Sequence, residues 1–196
     1  MARVRYWIGF AAVLSMAALF MTPTVQAQSV AESKASVDAM PDDPPRHYNL
    51  GRAFFKAGQF KESIASFEKA IELKEDKRDY YNMGLAQQKL SSNSAAIKSF
   101  KKAVGIDAGY ADAHAALGGA YRKTKNTTSA IRAYKAAIKI SPKKGTWHYN
   151  LGILYQTKED YKNAIPAYEA YLKLSPRARN AKSIRDIVIL MKDAIK

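Results

Sequence analysis

Apolar and polar positions recur along this chain in four copies of one pattern. Each copy has a large apolar residue followed by glycine, a small residue twelve positions after the glycine, and an aromatic residue sixteen positions after it. The glycines are Gly51, Gly84, Gly118 and Gly152, the small residues Ser63, Ala96, Ala130 and Ala164, and the aromatics Phe67, Phe100, Tyr134 and Tyr168. The apolar spacing predicts two short amphipathic helices per copy, neither of which can bury its apolar face alone. The pattern therefore predicts stacked helical hairpins.

Turn residues and prolines set the boundaries of the copies. Pro142 and Pro176 are expected to end the second helices of the last two copies, because proline cannot continue a helix. The four predicted copies span residues 44–76, 77–110, 111–144 and 145–178.

Residues 179–196 depart from the repeat and predict a C-terminal capping helix. Ile184, Val188, Met191 and Ile195 fall on one helical stripe. Ile187, Ile189 and Leu190 widen that stripe, so either apolar surface remains exposed for a partner or a second copy, or the cap is simply well buried.

The period of the copies and their spaced residues resemble the tetratricopeptide repeat (TPR) family over about residues 44 to 178. The positions that carry the resemblance in the third copy are Leu117, Gly118, Tyr121, Ala130, Tyr134, Ala137 and Pro142. The resemblance implies an all-α fold, a right-handed α-solenoid of four helix-turn-helix TPR units with a C-terminal capping helix. Tyr171 replaces the small residue found at Ala70, Ala103 and Ala137 in the other copies. We expect the array to end there, since a tyrosine at that contact needs a different neighbour.

The N-terminal residues 1–27 have the features of a signal peptide. Arg3 and Arg5 precede an apolar run over residues 8–20, and Ala27 offers a cleavage site. That run is shorter than the roughly 20 residues a membrane span needs. We therefore predict export to the periplasm, with an uncleaved anchor in the inner membrane as the alternative and as the only route to membrane association. Residues 28–43 are mainly small, polar and acidic and lead into Pro44 and Pro45, which predicts a disordered linker.

Charge and composition narrow the chemistry. The formal net charge is +15, and removing residues 1–27 takes away two arginines and no acid, leaving +13. There is no cysteine. His47, His114 and His148 occupy one repeat position, which indicates packing rather than metal binding. No nucleophile triad, phosphate loop or paired carboxylates can be located, so we predict a protein that is not an enzyme and that uses no cofactor or metal.

The family resemblance also implies a concave groove lined by the first helix of each unit. The corresponding positions are Tyr48, Arg52, Phe55 and Lys56; Arg78, Tyr81, Leu85, Gln88 and Lys89; Asp112, Ala115, Gly119, Arg122 and Lys123; and Thr146, Tyr149, Ile153, Gln156 and Thr157. Aromatics mixed with cations suit a partner segment carrying acidic and apolar side chains.

These observations predict a non-catalytic protein-interaction scaffold of the cell envelope. Its partner is expected to be an acidic and apolar segment of another envelope protein, and a homo-oligomer through the C-terminal helix is a further option. The alternative function is binding of an anionic polymer through the basic surface. That polymer would be an envelope polysaccharide, a phospholipid surface or, as the less favoured option, nucleic acid.

Overall fold

Helices build the described part of the chain, residues 25–196 of the computed structural model, and no strand occurs within that range. The chain is divided into two compact units: the first ends at Glu75 and the second begins at Asp76. The first unit contains α1 (residues 25–39), α2 (Pro44–Lys56) and α3 (Phe60–Leu73). The second contains α4 (Lys77–Lys89), α5 (Asn93–Ile106), α6 (Ala111–Lys123), α7 (Thr127–Ile140), α8 (Gly145–Thr157), α9 (Tyr161–Leu174) and α10 (Ala181–Ala194). In this range no helix has the length and apolar content to cross a bilayer.

Glycine and an aromatic ring fit together inside every hairpin. A Cβ added at Gly84 would lie 2.6 Å from Phe100, and one at Gly152 would lie 2.6 Å from Tyr168. Gly51 with Phe67 and Gly118 with Tyr134 repeat this geometry at 2.8 Å. Real Cβ atoms do not approach rings so closely, so only glycine allows the two helices to pack at this distance. The sixteen-residue spacing in the sequence therefore reports a contact within the hairpin.

The second unit also buries these rings between successive hairpins. Phe100 of α5 packs in one cluster with Leu117 and Ala120 of α6. Tyr134 of α7 packs with Trp147 and Leu151 of α8. Each ring thus contributes to two contacts, one inside its own hairpin and one with the next.

The first unit begins with a helix that its mainly polar sequence does not predict. Residues 28–39 belong to α1, so the prediction of a disordered linker over 28–43 is wrong for this stretch. Val30 is 8% exposed and packs with Leu50 and Phe54 of α2, and Val37 packs against the same cluster. Two valines seven residues apart give α1 a narrow apolar stripe, which the mostly polar composition conceals.

Polar contacts hold α1 against α2 as well. The Arg46 guanidinium donates to the Ser36 carbonyl at 2.9 Å and to the Ser36 hydroxyl at 2.6 Å. The Lys34 ammonium lies 5.5 Å from the centroid of the Phe54 ring.

Most of the predicted signal peptide, residues 1–24, lies outside the described residues.

At the other end of the chain, α10 packs on α9. Ile184, Val188 and Met191 are buried in a cluster with Tyr168 and Tyr171 of α9. The Tyr171 hydroxyl donates to the side-chain oxygen of Asn180, immediately before α10. The different neighbour expected for Tyr171 is therefore α10 itself.

The predicted apolar stripe of α10 is shorter than expected. Ile195 follows the end of the helix and is 45% exposed, so it does not extend the buried face. Ile189 and Leu190 are also exposed, so of the two alternatives the one with exposed apolar surface on α10 applies.

Candidate functional site

In the second unit, the first helix of each hairpin borders an open groove of about 340 Å³. This second-unit groove is lined by α4, α6 and α8, with one residue from α7. The lining residues are Tyr81, Leu85, Gln88, Asp112, Ala115, Ala116, Gly119, Arg122, Lys123, Tyr134, Thr146, Trp147 and Asn150. The structure thus brings together nine residues of the predicted groove, namely Tyr81, Leu85, Gln88, Asp112, Ala115, Gly119, Arg122, Lys123 and Thr146.

Small residues on α6 create the depth of this groove. Ala115 and Ala116 present only methyl groups, and Gly119 presents none. A Cβ added at Gly119 would lie 3.5 Å from the Tyr134 hydroxyl oxygen, which is an ordinary contact distance. Gly119 is therefore not required for helix packing, unlike its neighbour Gly118, and a larger side chain there would fill the groove.

Aromatic rings form two sides of the groove. The Tyr81 ring lies 5.1 Å from the Tyr110 ring and 5.9 Å from the Phe100 ring, measured between centroids. Trp147 is 8% exposed and packs with Tyr134 in the neighbouring cluster. Rings held by such contacts are rigid anchors for a ligand.

Ionisable groups lie at opposite ends of α6. Arg122 and Lys123 are exposed in its last turn, and Asp112 lies in its first turn. Burial raises the pKa of Tyr81, with Asp112 adding to the effect. Burial also raises the pKa of Tyr134, while the nearby Arg122 guanidinium opposes that rise. Both tyrosines are therefore neutral phenols at pH 7 and can donate hydrogen bonds.

Four predicted groove residues of α8 lie elsewhere in the second unit, and one of them, Thr157, donates a hydrogen bond from its hydroxyl to the Ile153 carbonyl at 2.8 Å. Tyr149 and Ile153 pack against the cluster that joins α9 to α10. Gln156 accepts a hydrogen bond from the Tyr168 hydroxyl at 2.6 Å. Burial raises the pKa of Tyr168 to about 12, so this donor keeps its proton.

Two predicted residues of α4 also lie outside the groove lining. The exposed Arg78 guanidinium contacts the Asp76 carboxylate at 3.0 Å, and Lys89 is exposed at the end of the helix. The side-chain hydrogen bond from Arg78 is the main cause that holds the pKa of Asp76 below its ordinary value.

The predicted residues of the first unit all lie on α2. The guanidinium carbon of Arg52 lies 5.6 Å from the Tyr48 ring centroid. Phe55 meets Phe60 edge to face at 5.4 Å, and Lys56 is exposed at the end of the helix. Within the first unit these residues place one cation, Arg52, beside an aromatic ring.

Sequence reasoning missed four residues of the second-unit groove: Ala116, Tyr134, Trp147 and Asn150. Tyr134 had been assigned to packing alone, yet its hydroxyl end reaches the groove floor beside Gly119. Trp147 occupies the repeat position that Ala113 occupies in the preceding copy. The replacement of alanine by tryptophan at this position was the sequence signal that could have indicated its place in the groove.

The three histidines contact the loops that precede α2, α6 and α8. His47 Nε2 lies 2.7 Å from the Pro41 carbonyl oxygen, His114 Nε2 3.0 Å from that of Ala108, and His148 Nε2 2.8 Å from that of Pro142. Each ring therefore ties a loop to the helix that follows it. Across residues 25–196, no cluster of three or more His, Cys, Asp or Glu side chains could hold a metal ion.

This chain belongs to the tetratricopeptide repeat family. Family profiles described as tetratricopeptide repeat match residues 44–77, 80–110 and 148–177, and one described as TPR repeat matches residues 118–159. No curated protein sequence gives a significant match.

Solved structures share the fold over most of their length. A crystal structure of MamA is 25% identical, with a TM-score of 0.72 over 76% of this chain and 87% of that chain. A MamA structure from Desulfovibrio magneticus RS-1 is 20% identical, with a TM-score of 0.72 over 86% and 94%. YrrB, described as a TPR protein with an unusual peptide-binding site, is 19% identical, with a TM-score of 0.70 over 88% and 89%. The predicted all-α TPR solenoid is confirmed.

Proposed function

We propose that this protein is a non-catalytic interaction scaffold whose second-unit groove binds a segment of a partner protein. The segment is extended or helical and carries apolar side chains together with at least one carboxylate. The observation that carries this proposal is the pairing of a rigid aromatic and methyl-lined floor with Arg122 and Lys123 at one end.

The chemistry of the groove supports a peptide rather than a small metabolite. The groove is open, and its polar groups are spread along α6 rather than converging on one point. Apolar side chains of a peptide would cover Leu85, Ala115 and Trp147, and an acidic side chain would accept hydrogen bonds from Arg122. The peptide-binding site named for the YrrB structure supports the same mode of binding for a chain of this fold.

The proposed partner is another protein of the cell envelope. This part of the proposal rests on the signal-peptide features of residues 1–27 and on the basic composition, which favours an acidic partner. Mass spectrometry of the N-terminus of protein recovered from its host tests the export step. A chain beginning at Gln28 supports cleavage, and a chain that retains Met1 contradicts it.

The groove itself is tested by filling it. Tagged Gly119→Met protein should lose partners that the unaltered protein captures by cross-linking in its host, because the new side chain occupies the space above Tyr134. The matched control is Gly105→Met on α5, where an added Cβ meets no atom within 4 Å. Equal capture by the Gly119 and Gly105 variants would contradict the proposal.

The charge requirement is tested separately. Arg122→Glu with Lys123→Glu should weaken capture by more than tenfold at unchanged helix content, because a charge-assisted hydrogen bond contributes about 1.5–3 kcal/mol. Reversal of Lys98 and Lys102, which lie on the exposed side of α5, provides the control for net charge. Similar losses for both pairs would indicate a non-specific electrostatic attraction.

A further inference from the structure

A second surface of the second unit combines exposed apolar residues with unpaired cations. It consists of residues 139–144, where α7 ends, and residues 173–179, where α9 ends, and we name it the basic edge. The two segments repeat one order of residue types: a lysine, an exposed apolar residue, serine, proline and then basic residues. The exposed apolar residues are Ile140 and Leu174, which are 41% and 39% exposed.

Charge on the basic edge has a single sign. The first segment contributes Lys139, Lys143 and Lys144, and the second contributes Lys173, Arg177 and Arg179. All six side chains are exposed, and within residues 25–196 none of them forms an ion pair. Both segments lie in stretches without aspartate or glutamate, residues 113–158 and 170–185. No acidic residue within these stretches is available to neutralise the six cations.

The two segments are adjacent and held in place. A Cβ added at Gly145, directly after the first segment, would lie 2.7 Å from the Ser175 hydroxyl oxygen and 3.4 Å from Leu174. The Pro142 carbonyl lies 2.8 Å from His148 Nε2, and the Pro176 carbonyl accepts a hydrogen bond from Arg185 at 3.3 Å. Both loops are therefore tied to the helix that follows, and the second segment lies against Gly145 at the end of the first.

The second unit contains its own control for this feature. The loop after α5 places Ile106 at the equivalent position, 46% exposed, but Gly105, Asp107 and Gly109 stand where the basic edge has lysine, serine and a cation. Asp107 pairs with Lys77, so this third loop has an exposed apolar residue without free positive charge.

We propose that the basic edge docks on an anionic phospholipid bilayer, independently of the groove. Lipid phosphates fit the six cations, and Ile140 and Leu174 enter the boundary between headgroups and acyl chains. The apolar pair favours a bilayer over nucleic acid or polysaccharide, because a phosphate backbone or a sugar chain offers those two side chains no apolar medium. This route to a membrane does not require the N-terminal apolar run.

The absence of cysteine allows a local test in the full chain. A single cysteine is introduced as Ser141→Cys, or as Ala108→Cys in the control loop, and labelled with a fluorophore whose emission moves to the blue in apolar surroundings. We expect a blue shift for the Ser141 label on vesicles of phosphatidylcholine with roughly 30% phosphatidylglycerol, and no shift on phosphatidylcholine alone. The Ala108 label should not respond to either vesicle. Because the readout is local, binding through residues 1–27 would not produce this difference.

Substitutions then separate the two components. In the Ser141-labelled background, each basic-edge cation replaced by glutamine should weaken the vesicle response about fivefold. Ile140→Ser with Leu174→Ser should weaken it severalfold more than Ile106→Ser does. Equal shifts at positions 141 and 108, or an unchanged response in the Ile140→Ser, Leu174→Ser variant, would overturn the proposal. Binding of a single-stranded oligonucleotide without any response to vesicles would instead assign the basic edge to nucleic acid. A groove variant such as Gly119→Met should keep the full vesicle response, so failure of the groove proposal is recognised separately.

Discussion

Each unit of this protein carries one helix outside the repeat pattern, and the two helices are attached by different physics. In the second unit, α10 buries Ile184, Val188 and Met191 against two tyrosines of α9. In the first unit, α1 buries Val30 and relies on Arg46 and Lys34 for additional contacts with α2. The sequence predicts the apolar helix, whereas its polar composition predicts a disordered linker in place of the other.

The difference shows where the pattern of apolar residues is informative. A wide apolar stripe must be buried, so it predicts both a helix and an element that packs against it. A narrow stripe supported by hydrogen bonds leaves few apolar residues to count, although the chain there is still helical. The following predictions compare the strength of the two attachments.

The largest effect is expected in α10. Val188→Asp should lower the free energy of unfolding by about 4 kcal/mol, because it places a carboxylate beside Tyr168 and Tyr171 without a counter-charge. Chemical denaturation followed by circular dichroism measures the change. Ile189→Asp, one residue later and 57% exposed, is the control and should change stability by less than about 0.5 kcal/mol. Equal losses would show that α10 is not attached through its buried stripe.

The equivalent change in α1 should cost less. Val30→Asp is expected to lower stability by about 2–3 kcal/mol, because α1 can detach at the cost of its own small apolar contact. Faster hydrogen exchange over residues 28–39 would locate the effect. The exposed neighbour Ala31 provides the control, as Ala31→Asp should leave exchange unchanged. A loss as large as that of Val188→Asp would remove the distinction between the two helices.

In the second unit, Asp79 occupies the repeat position that Arg46 occupies in the first. The Asp79 side chain is buried, and its Oδ1 has no hydrogen-bond partner within residues 25–196. Burial raises the pKa of Asp79 from 3.8 to about 7, with the Asp76 carboxylate adding to the rise. Folding therefore favours the protonated form, and stability should fall as pH rises from about 4 to about 7.

Asp79→Ala removes the free-energy cost of burying an ionised carboxylate. It introduces alanine, which is the residue at the equivalent position 113 of the next hairpin. We expect a gain of about 2 kcal/mol at pH 8 and little change at pH 4, measured by thermal unfolding across that range. Asp112→Ala, at an exposed position, provides the control for charge. A pH-independent gain would show that the Asp79 carboxyl is not the titrating group.

The smallest effect is expected at Arg46. Arg46→Met keeps the length of the side chain but removes its donors to Ser36 and to the Asp43 carboxylate, and it should cost about 1 kcal/mol. Protection from hydrogen exchange should fall within α1 and not within α3. Arg46→Lys should recover part of the protection, because an ammonium can still donate one of the two bonds. Unchanged protection in Arg46→Met would assign the attachment of α1 to the valines alone.

Much of the fold followed from short-range regularities. The glycine and aromatic positions predicted the hairpins because each pair meets inside one hairpin, as Gly84 and Phe100 do. The groove was harder to predict because its lining depends on how successive hairpins stack. Tyr149 and Ile153 face the α10 cluster, and Trp147 and Tyr134 reach the groove, although the repeat register alone suggested otherwise.

The fit between glycine and ring has an evolutionary consequence. Because each fit is completed within a single hairpin, a hairpin gained by gene duplication would arrive with its internal packing already correct. The array can therefore lengthen in whole hairpins without changing the glycine–ring fit inside any of them. The exception is the hairpin formed by α8 and α9, whose Tyr171 requires α10, so an insertion after it would also have to replace tyrosine with a small residue.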